Sequence, residues 1–251
     1  MTAPCVLVLA GLDPSGGAGL FADAEAIRAA GARPLGVATA LTAQTLKRMH
    51  GFQPISPQLA MQTARALLEE EPVRAIKVGM VGTLAMARAI ADLLAEAKLA
   101  AVVDPVLAAS NGGALFQGGP AAARDAYGAL FANAIATPNA VEAQVLLSLA
   151  EPPRSEEALE SAARELVRRG ARAALVKGGH AEGPESIDVL CEGDRCVRLA
   201  ARRLDKAARG TGCRLASALA AGLALGRGLE DSAREAKALV FEYLESPSSR
   251  P

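Results

Sequence analysis

Cys5-Val6-Leu7-Val8-Leu9-Ala10, running into Gly11-Leu12-Asp13-Pro14-Ser15-Gly16-Gly17-Ala18-Gly19, is the stretch on which the fold turns. The apolar run does not alternate with polar residues, so it reads as a strand covered on both faces. Gly11 to Gly19 reads as a turn, and Leu20 to Ala30 as a helix with Gly31 at its C′ position. The next apolar strand is Leu35 to Leu41.

The alternation continues along the chain. Arg74–Val81, Ala100–Val106, Ala134–Thr137 and Ala173–Val176 read as strands. Gln58–Glu70, Leu84–Lys98, Pro120–Phe131, Val141–Leu149 and Glu156–Arg169 read as helices. Ile187–Cys191 and Cys196–Leu199 flank Glu192-Gly193-Asp194-Arg195, a hairpin turn by its composition. Thr211–Leu225 and Glu230–Glu245 are the last helices. The pattern predicts an α/β fold, a mostly parallel central sheet with helices on both faces. Ligands then belong in the loops after the strands' C-terminal ends. Pro152-Pro153-Arg154-Ser155 reads as an interhelix turn rather than a linker, so residues 1–251 are expected to form a single domain. The tail Ser246–Pro251 is expected to fray.

Composition narrows the function. Lys+Arg and Asp+Glu are both 27, Trp is absent and aromatics are 3%. Neither the basic excess nor the stacking platforms of a nucleic-acid binder are present, and a membrane surface is an equally poor partner. Cys5, Cys191, Cys196 and Cys213 form no C-x-x-C pair, and with only His50 and His180 a zinc site is not expected. His180 reads as structural. The N-terminus lacks the basic segment of a signal peptide, and Leu215–Leu225 is shorter than the roughly 20 residues of a membrane span. A cytoplasmic location is the expectation.

The residues with chemistry cluster late. In Gly210-Thr211-Gly212-Cys213 two glycines open a helix whose first N–H groups lack intrahelical partners. With the helix dipole these make an anion site, and a cysteine there tends toward a lowered pKa. The same residues read equally as an ordinary helix start with a small buried cysteine. Gly17, Gly19 and Ala22 satisfy G-x-G-x-x-[GA], but no Asp or Glu lies between Glu25 and Glu69 to hold a ribose. Dinucleotide binding is therefore disfavoured, and no G-x-x-x-x-G-K-[ST] run is present. Asn139 and Glu142 straddle a strand-to-helix junction as either a capping pair or oxygen ligands for Mg²⁺. Lys177, at a strand's end before two glycines, can reach phosphates as a point charge.

Asp13-Pro14-Ser15-Gly16-Gly17-Ala18-Gly19-Leu20 with Ala22-Asp23, Thr39-Ala40-Leu41-Thr42-Ala43-Gln44, Lys77-Val78-Gly79-Met80, Asp104-Pro105-Val106, Thr137-Pro138-Asn139, Glu142, Lys177-Gly178-Gly179-His180 and Gly210-Thr211-Gly212-Cys213 resemble, in order and spacing, the hydroxymethylpyrimidine and phosphomethylpyrimidine kinases. The resemblance spans Val6 to about Val240 and implies a three-layer αβα ribokinase-like fold. It implies an ATP- and Mg²⁺-dependent kinase of thiamine biosynthesis that works as a homodimer. Cys213 would be the base that deprotonates the substrate's hydroxymethyl group, with Gly210, Thr211 and Gly212 as the cradle of the transferring group. Gln44, Asp23, Met80 and Gly11 would line the substrate. Lys177, Asp104 and Thr211 would serve ATP, and Asn139 with Glu142 the metal. Gln44's amide offers a donor beside an acceptor, matching an aminopyrimidine edge. Asp23 also reads as a dipole-favoured carboxylate, and Met80 as core.

The chain departs from the family at three places. Ala207-Ala208-Arg209 replaces its Asn-Thr-His run, Arg214 its threonine, and Phe21 its glutamine. Positive charge from Arg209 or Arg214 would favour the phosphorylated substrate; both side chains pointing to solvent is the alternative. Pyridoxal kinase activity, a pyrimidine-binding protein without catalysis and, last, a nicotinamide-dependent oxidoreductase are the competing functions.

Overall fold

The computed structural model describes residues 3–110, 112–179, 184–204 and 208–246. His180, Ala207 and the tail beyond Ser246 lie outside these. The strands are β1 (Cys5–Leu12), β2 (Arg33–Gln44), β3 (Met49–Pro54), β4 (Val73–Val78), β5 (Ala100–Val103), β6 (Ile135–Ala136), β7 (Ala173–Lys177), β8 (Glu185–Glu192) and β9 (Arg195–Arg202). The helices are α1 (Gly19–Ala29), α2 (Pro57–Glu70), α3 (Leu84–Ala97), α4 (Gly119–Phe131), α5 (Ala140–Leu147), α6 (Glu156–Arg168), α7 (Thr211–Ala224) and α8 (Leu229–Glu245).

All these strands join one sheet in the order β3-β2-β1-β4-β5-β6-β7-β8-β9. Pairing is parallel from β2 to β7, and β3, β8 and β9 are antiparallel additions at the two edges. The parallel strands are the unbroken apolar runs of the sequence, and Cys5 to Ala10 is fully buried. Two cores cover the two faces. One packs α2 to α6 on one side through Ile90, Leu93, Tyr127 and Leu159; the other packs α1, α7 and α8 through Ile27, Leu219 and Ala236. This is the expected mostly parallel sheet in three layers. Strand order reverses between β1 and β4, which opens a crevice beyond their C-terminal ends.

Two inner strands end sooner than expected, β4 at Val78 and β5 at Val103; the other differences sit at the edges. β3 escapes sequence reading because His50, Gly51, Gln53 and Pro54 leave no apolar run. It pairs on one side only, where polar residues and a proline are tolerated. β2 extends through Gln44, which is therefore a strand residue paired with Met49 and not part of the following loop. β8 and β9 are longer than their apolar segments and turn at Gly193-Asp194. Cys191 and Cys196, which face each other across this hairpin, form a disulfide.

Candidate active site

α7 begins at Gly210, whose φ of +72° closes the turn before the helix. A Cβ there would also lie 2.3 Å from the Gly17 carbonyl oxygen, so only glycine fits between the first loop and α7. Among the described residues no side chain caps this helix. The N–H groups of its first turn therefore remain available, and the positive end of the dipole faces the crevice. The opening of α1 converges on the same point, where the Gly19 N–H lies near enough to Cys213 to favour its thiolate.

Behind this cradle the strand ends carry a buried charge cluster. Lys77, on β4, is fully buried, and its Nζ donates to both carboxylate oxygens of Asp23 at 2.8 and 2.9 Å. The Ser217 hydroxyl, one turn along α7 from Cys213, donates to Asp23 Oδ1 at 2.8 Å. Burial works against the Lys77 ammonium, but Asp23, Cys213 and Asp104 outweigh it and hold its pKa above the usual lysine value. On β7, Lys177 Nζ donates to Asp104 Oδ1 at 2.7 Å. Gly212 lies against this pair, since a Cβ there would sit 3.0 Å from Lys177 Nζ and 3.9 Å from Asp104 Oδ2. Lys177, Asp104, Gly212 and Cys213 thus share one locus.

Cys213 keeps a partly exposed face. Its thiol nevertheless runs opposite to the lowered pKa expected at a helix start. Burial pushes it up to about 12; Lys77 opposes the shift, and Asp23 and Asp104 add to it. Helix-end polarity is a fraction of a charge, and two carboxylates plus packing outweigh it.

Asn139 and Glu142 form a reciprocal capping box. Asn139 Oδ1 accepts from the Glu142 N–H at 2.9 Å, and Glu142 Oε2 accepts from the Asn139 N–H at 2.8 Å. Burial raises the Glu142 carboxyl to about 7, opposed by Lys177. A carboxylate has about four acceptor positions, so capping leaves room for waters of a hard cation. No group of three or more His, Cys, Asp or Glu side chains suited to hold a metal occurs among the described residues.

The expected substrate residues separate. Gly11 and Met80 are in contact, a Cβ on Gly11 falling 2.7 Å from Met80 Sδ. Met80 is buried with Ala40 and Leu115, against Phe52 and Val106. Gln44 reaches Arg209, whose Nη2 donates to Gln44 Oε1 at 3.0 Å. Asp23 stands apart from them. It is wholly inside the molecule as the counter-ion of Lys77, because a carboxylate one turn into α1 faces the sheet rather than the crevice. Sequence reading gave Lys77, Ser217 and Asp23 no joint role; the signal was a lysine between Ile76 and Val78 in a strand read as buried.

Neither departing arginine points to solvent. Arg209 pairs with Asp13 at 3.3 Å, and Arg214 with Glu25 at 2.6 Å. The Arg214 guanidinium also stacks 4.0 Å from the Tyr243 ring centroid. Beside the cradle lies a pocket of about 340 Å³ bounded by Lys177, Thr211, Gly212, Leu215, Val240 and Phe241. The larger groove, about 610 Å³ on the outside of α2 and α3, contains none of the residues above.

A parallel sheet whose switch-point crevice holds a glycine cradle on a helix start, backed by lysines, defines a ribokinase-like kinase. The chain matches the phosphomethylpyrimidine kinase family over residues 13–249, and it belongs to that family. It is 38% identical to the hydroxymethylpyrimidine/phosphomethylpyrimidine kinase of Rhizobium meliloti, over 96% of this chain and 90% of that one. Among solved structures it is similar to the phosphomethylpyrimidine kinase of Clostridium difficile 630, with TM-score 0.83 and 29% identity, covering 96% of this chain and all of that one (100%). It is also similar to the pyridoxal kinase of Staphylococcus aureus, with TM-score 0.87 and 25% identity over 98% of this chain and 89% of that one.

Proposed function

We propose that this enzyme transfers the γ-phosphoryl group of ATP to the hydroxymethyl oxygen of 4-amino-5-hydroxymethyl-2-methylpyrimidine, and then to the phosphate of the product, in thiamine diphosphate biosynthesis. The observation that carries the reading is the junction at Gly212. There the pocket bounded by Thr211 and Phe241 meets Lys177 and Asp104, with Cys213 beside them. ATP enters from the pocket with its phosphates over the α7 start, and the pyrimidine enters from the Gln44 side.

The N–H groups of Thr211, Gly212 and Cys213 stabilise charge on the transferring group, and Lys177 adds a full positive charge. Cys213 accepts the hydroxyl proton. With its thiol pushed up to about 12, the acceptor is the small fraction present as thiolate. A loose phosphoryl-transfer transition state allows this, because it requires little nucleophile charge before bond formation. The buried Lys77 ammonium favours the thiolate that takes up this proton, and the neutral thiol results. Asn139 and Glu142 supply hard oxygen donors for Mg²⁺, held through water; when bound, the ion neutralises phosphate charge. A homodimer in the cytoplasm completes the proposal.

A coupled ADP-release assay with hydroxymethylpyrimidine, its monophosphate and pyridoxal tests the reading. Turnover of both pyrimidines is expected, and a preference for pyridoxal would replace this reading with the second one. That second reading, a pyridoxal kinase, draws its support from the likeness to the Staphylococcus aureus enzyme. Sedimentation of the purified protein at twice the chain mass checks the dimer.

A further inference from the structure

We infer that Arg209 determines ligand specificity at the ring end of the site by fixing the orientation of the Gln44 carboxamide. This rests on the proposed reading that Gln44 meets the pyrimidine. Arg209 lies in the turn just before α7, and its side chain is 13% exposed. Its Nη1 donates to the Thr45 carbonyl at 2.9 Å and to Ser15 Oγ at 3.3 Å. Its Nη2 donates to Gln44 Oε1 at 3.0 Å and to Asp13 Oδ2 at 3.3 Å. One guanidinium thus ties together the first loop, the end of β2 and the threshold of the cradle.

A guanidinium has donors and no acceptor. The Gln44 atom facing it must therefore be the carbonyl oxygen, which turns the amide N–H groups away from Arg209. Without Arg209 the two ends of the amide could exchange by a half-turn. With it, Gln44 offers a ligand an N–H donor, the partner that a pyrimidine ring nitrogen accepts from. The role is geometric rather than one of net charge, because Asp13 neutralises the guanidinium. The same Asp13 holds the first loop through the N–H groups of Ser15 at 2.9 Å and Ala18 at 3.0 Å. Arg209 Nε is buried with no hydrogen-bond partner among the described residues, so the guanidinium is oriented through its two terminal nitrogens.

The test is calorimetric titration, without nucleotide, of hydroxymethylpyrimidine and of pyridoxal into the full chain, Arg209→Ala, Gln44→Ala, the double variant and Gln44→Glu. Arg209→Ala is expected to weaken pyrimidine binding about tenfold, the scale of one oriented hydrogen bond. Pyridoxal affinity is expected to stay within about twofold, and Arg209→Ala to add nothing in the Gln44→Ala background. In turnover, KM for the pyrimidine rises while kcat holds. Gln44→Glu keeps a partner for Arg209 but removes the N–H donors; it is expected to stay as heat-stable as the parent and to lose pyrimidine affinity. An equal loss for both ligands, an undiminished Arg209→Ala effect without Gln44, or retained pyrimidine affinity in Gln44→Glu overturns the inference. Pyrimidine binding with no ADP release would overturn the kinase reading alone, since these titrations contain no ATP.

Discussion

The two ends of the crevice, proposed above to hold the phosphoryl groups and the pyrimidine ring, are built by different means. At the phosphoryl end the contacts come from backbone: helix starts, and a glycine wedged against the Gly17 carbonyl. Charges there are buried in fixed pairs, Lys77 with Asp23 and Lys177 with Asp104. At the ring end the contacts come from side chains, and a single arginine spans Asp13, Ser15 and Gln44. Backbone geometry admits few substitutes, so the phosphoryl end holds the reaction type. Side chains can be exchanged one at a time, so the ring end is where substrate preference can change.

The comparison breaks most visibly at Gly210. Gly210→Ala places a Cβ against backbone in a left-handed conformation, and nothing soft can give way. Loss of the cradle's aligned donors is expected to lower kcat by about 10²–10³, or roughly 3–4 kcal/mol. Gly212→Ala is the control. Its Cβ would crowd only the Lys177 ammonium, at 3.0 Å, and no backbone atom, so a smaller loss is expected than at Gly210. Equal losses in steady-state kinetics would show that backbone rigidity is not what distinguishes this end.

Second in size is the pH response of Cys213. The thiol is protonated below about 12, so the fraction of thiolate grows as pH rises. If the thiolate takes the proton, kcat/KM is expected to climb toward about tenfold per pH unit between pH 7 and 9, with no plateau. Cys213→Asp is expected to flatten that rise, because a carboxylate titrates lower. A flat profile in the parent would remove Cys213 as the acceptor.

How much of this was legible in the sequence follows the same division. The parallel strands could be read because burial on both faces leaves unbroken apolar runs such as Cys5–Ala10. β3 could not, because an edge strand needs no such run. Gly210 to Cys213 was legible as a helix start, since glycines before an alanine-rich stretch signal it locally. The pKa of Cys213 was not, because it depends on Lys77, Asp23 and Asp104, which are 54 residues apart in one case and meet only through the sheet. Arg209 was visible as a departure, but its partner Gln44 lies 165 residues away, so its direction was not.

A smaller effect separates capping from metal binding. Glutamine at N3 caps a helix as glutamate does. Glu142→Gln is therefore expected to melt within about 2 °C of the parent, since less than ~0.5 kcal/mol is at stake. If the carboxylate serves Mg²⁺, the half-saturating Mg²⁺ concentration in the ADP-release assay is expected to rise about tenfold, one carboxylate's share of a site that phosphates and waters complete. An unchanged Mg²⁺ requirement would leave Glu142 as a cap alone.

The smallest expected effect is at Arg214, and it tests whether the two arginines divide as the two ends do. Arg214 adjoins Cys213 in sequence, yet its guanidinium turns back under the first loop, donating to the Gly17 carbonyl at 3.4 Å and lying over Tyr243. Its carboxylate partner, Glu25, is 63% exposed, so that ion pair contributes at most about 1 kcal/mol. The stacking on Tyr243 is worth a similar amount. Arg214→Met keeps most of the buried stem, so a loss of about 1–2 kcal/mol is expected, a fall in Tm of roughly 3–6 °C. Affinity for both the pyrimidine and ATP is expected to stay within about twofold, because the closest partners of the guanidinium are Glu25 and Tyr243. A tenfold fall in kcat with Tm unchanged would instead place Arg214 at the phosphoryl end, and that end would then depend on a replaceable side chain as the ring end does.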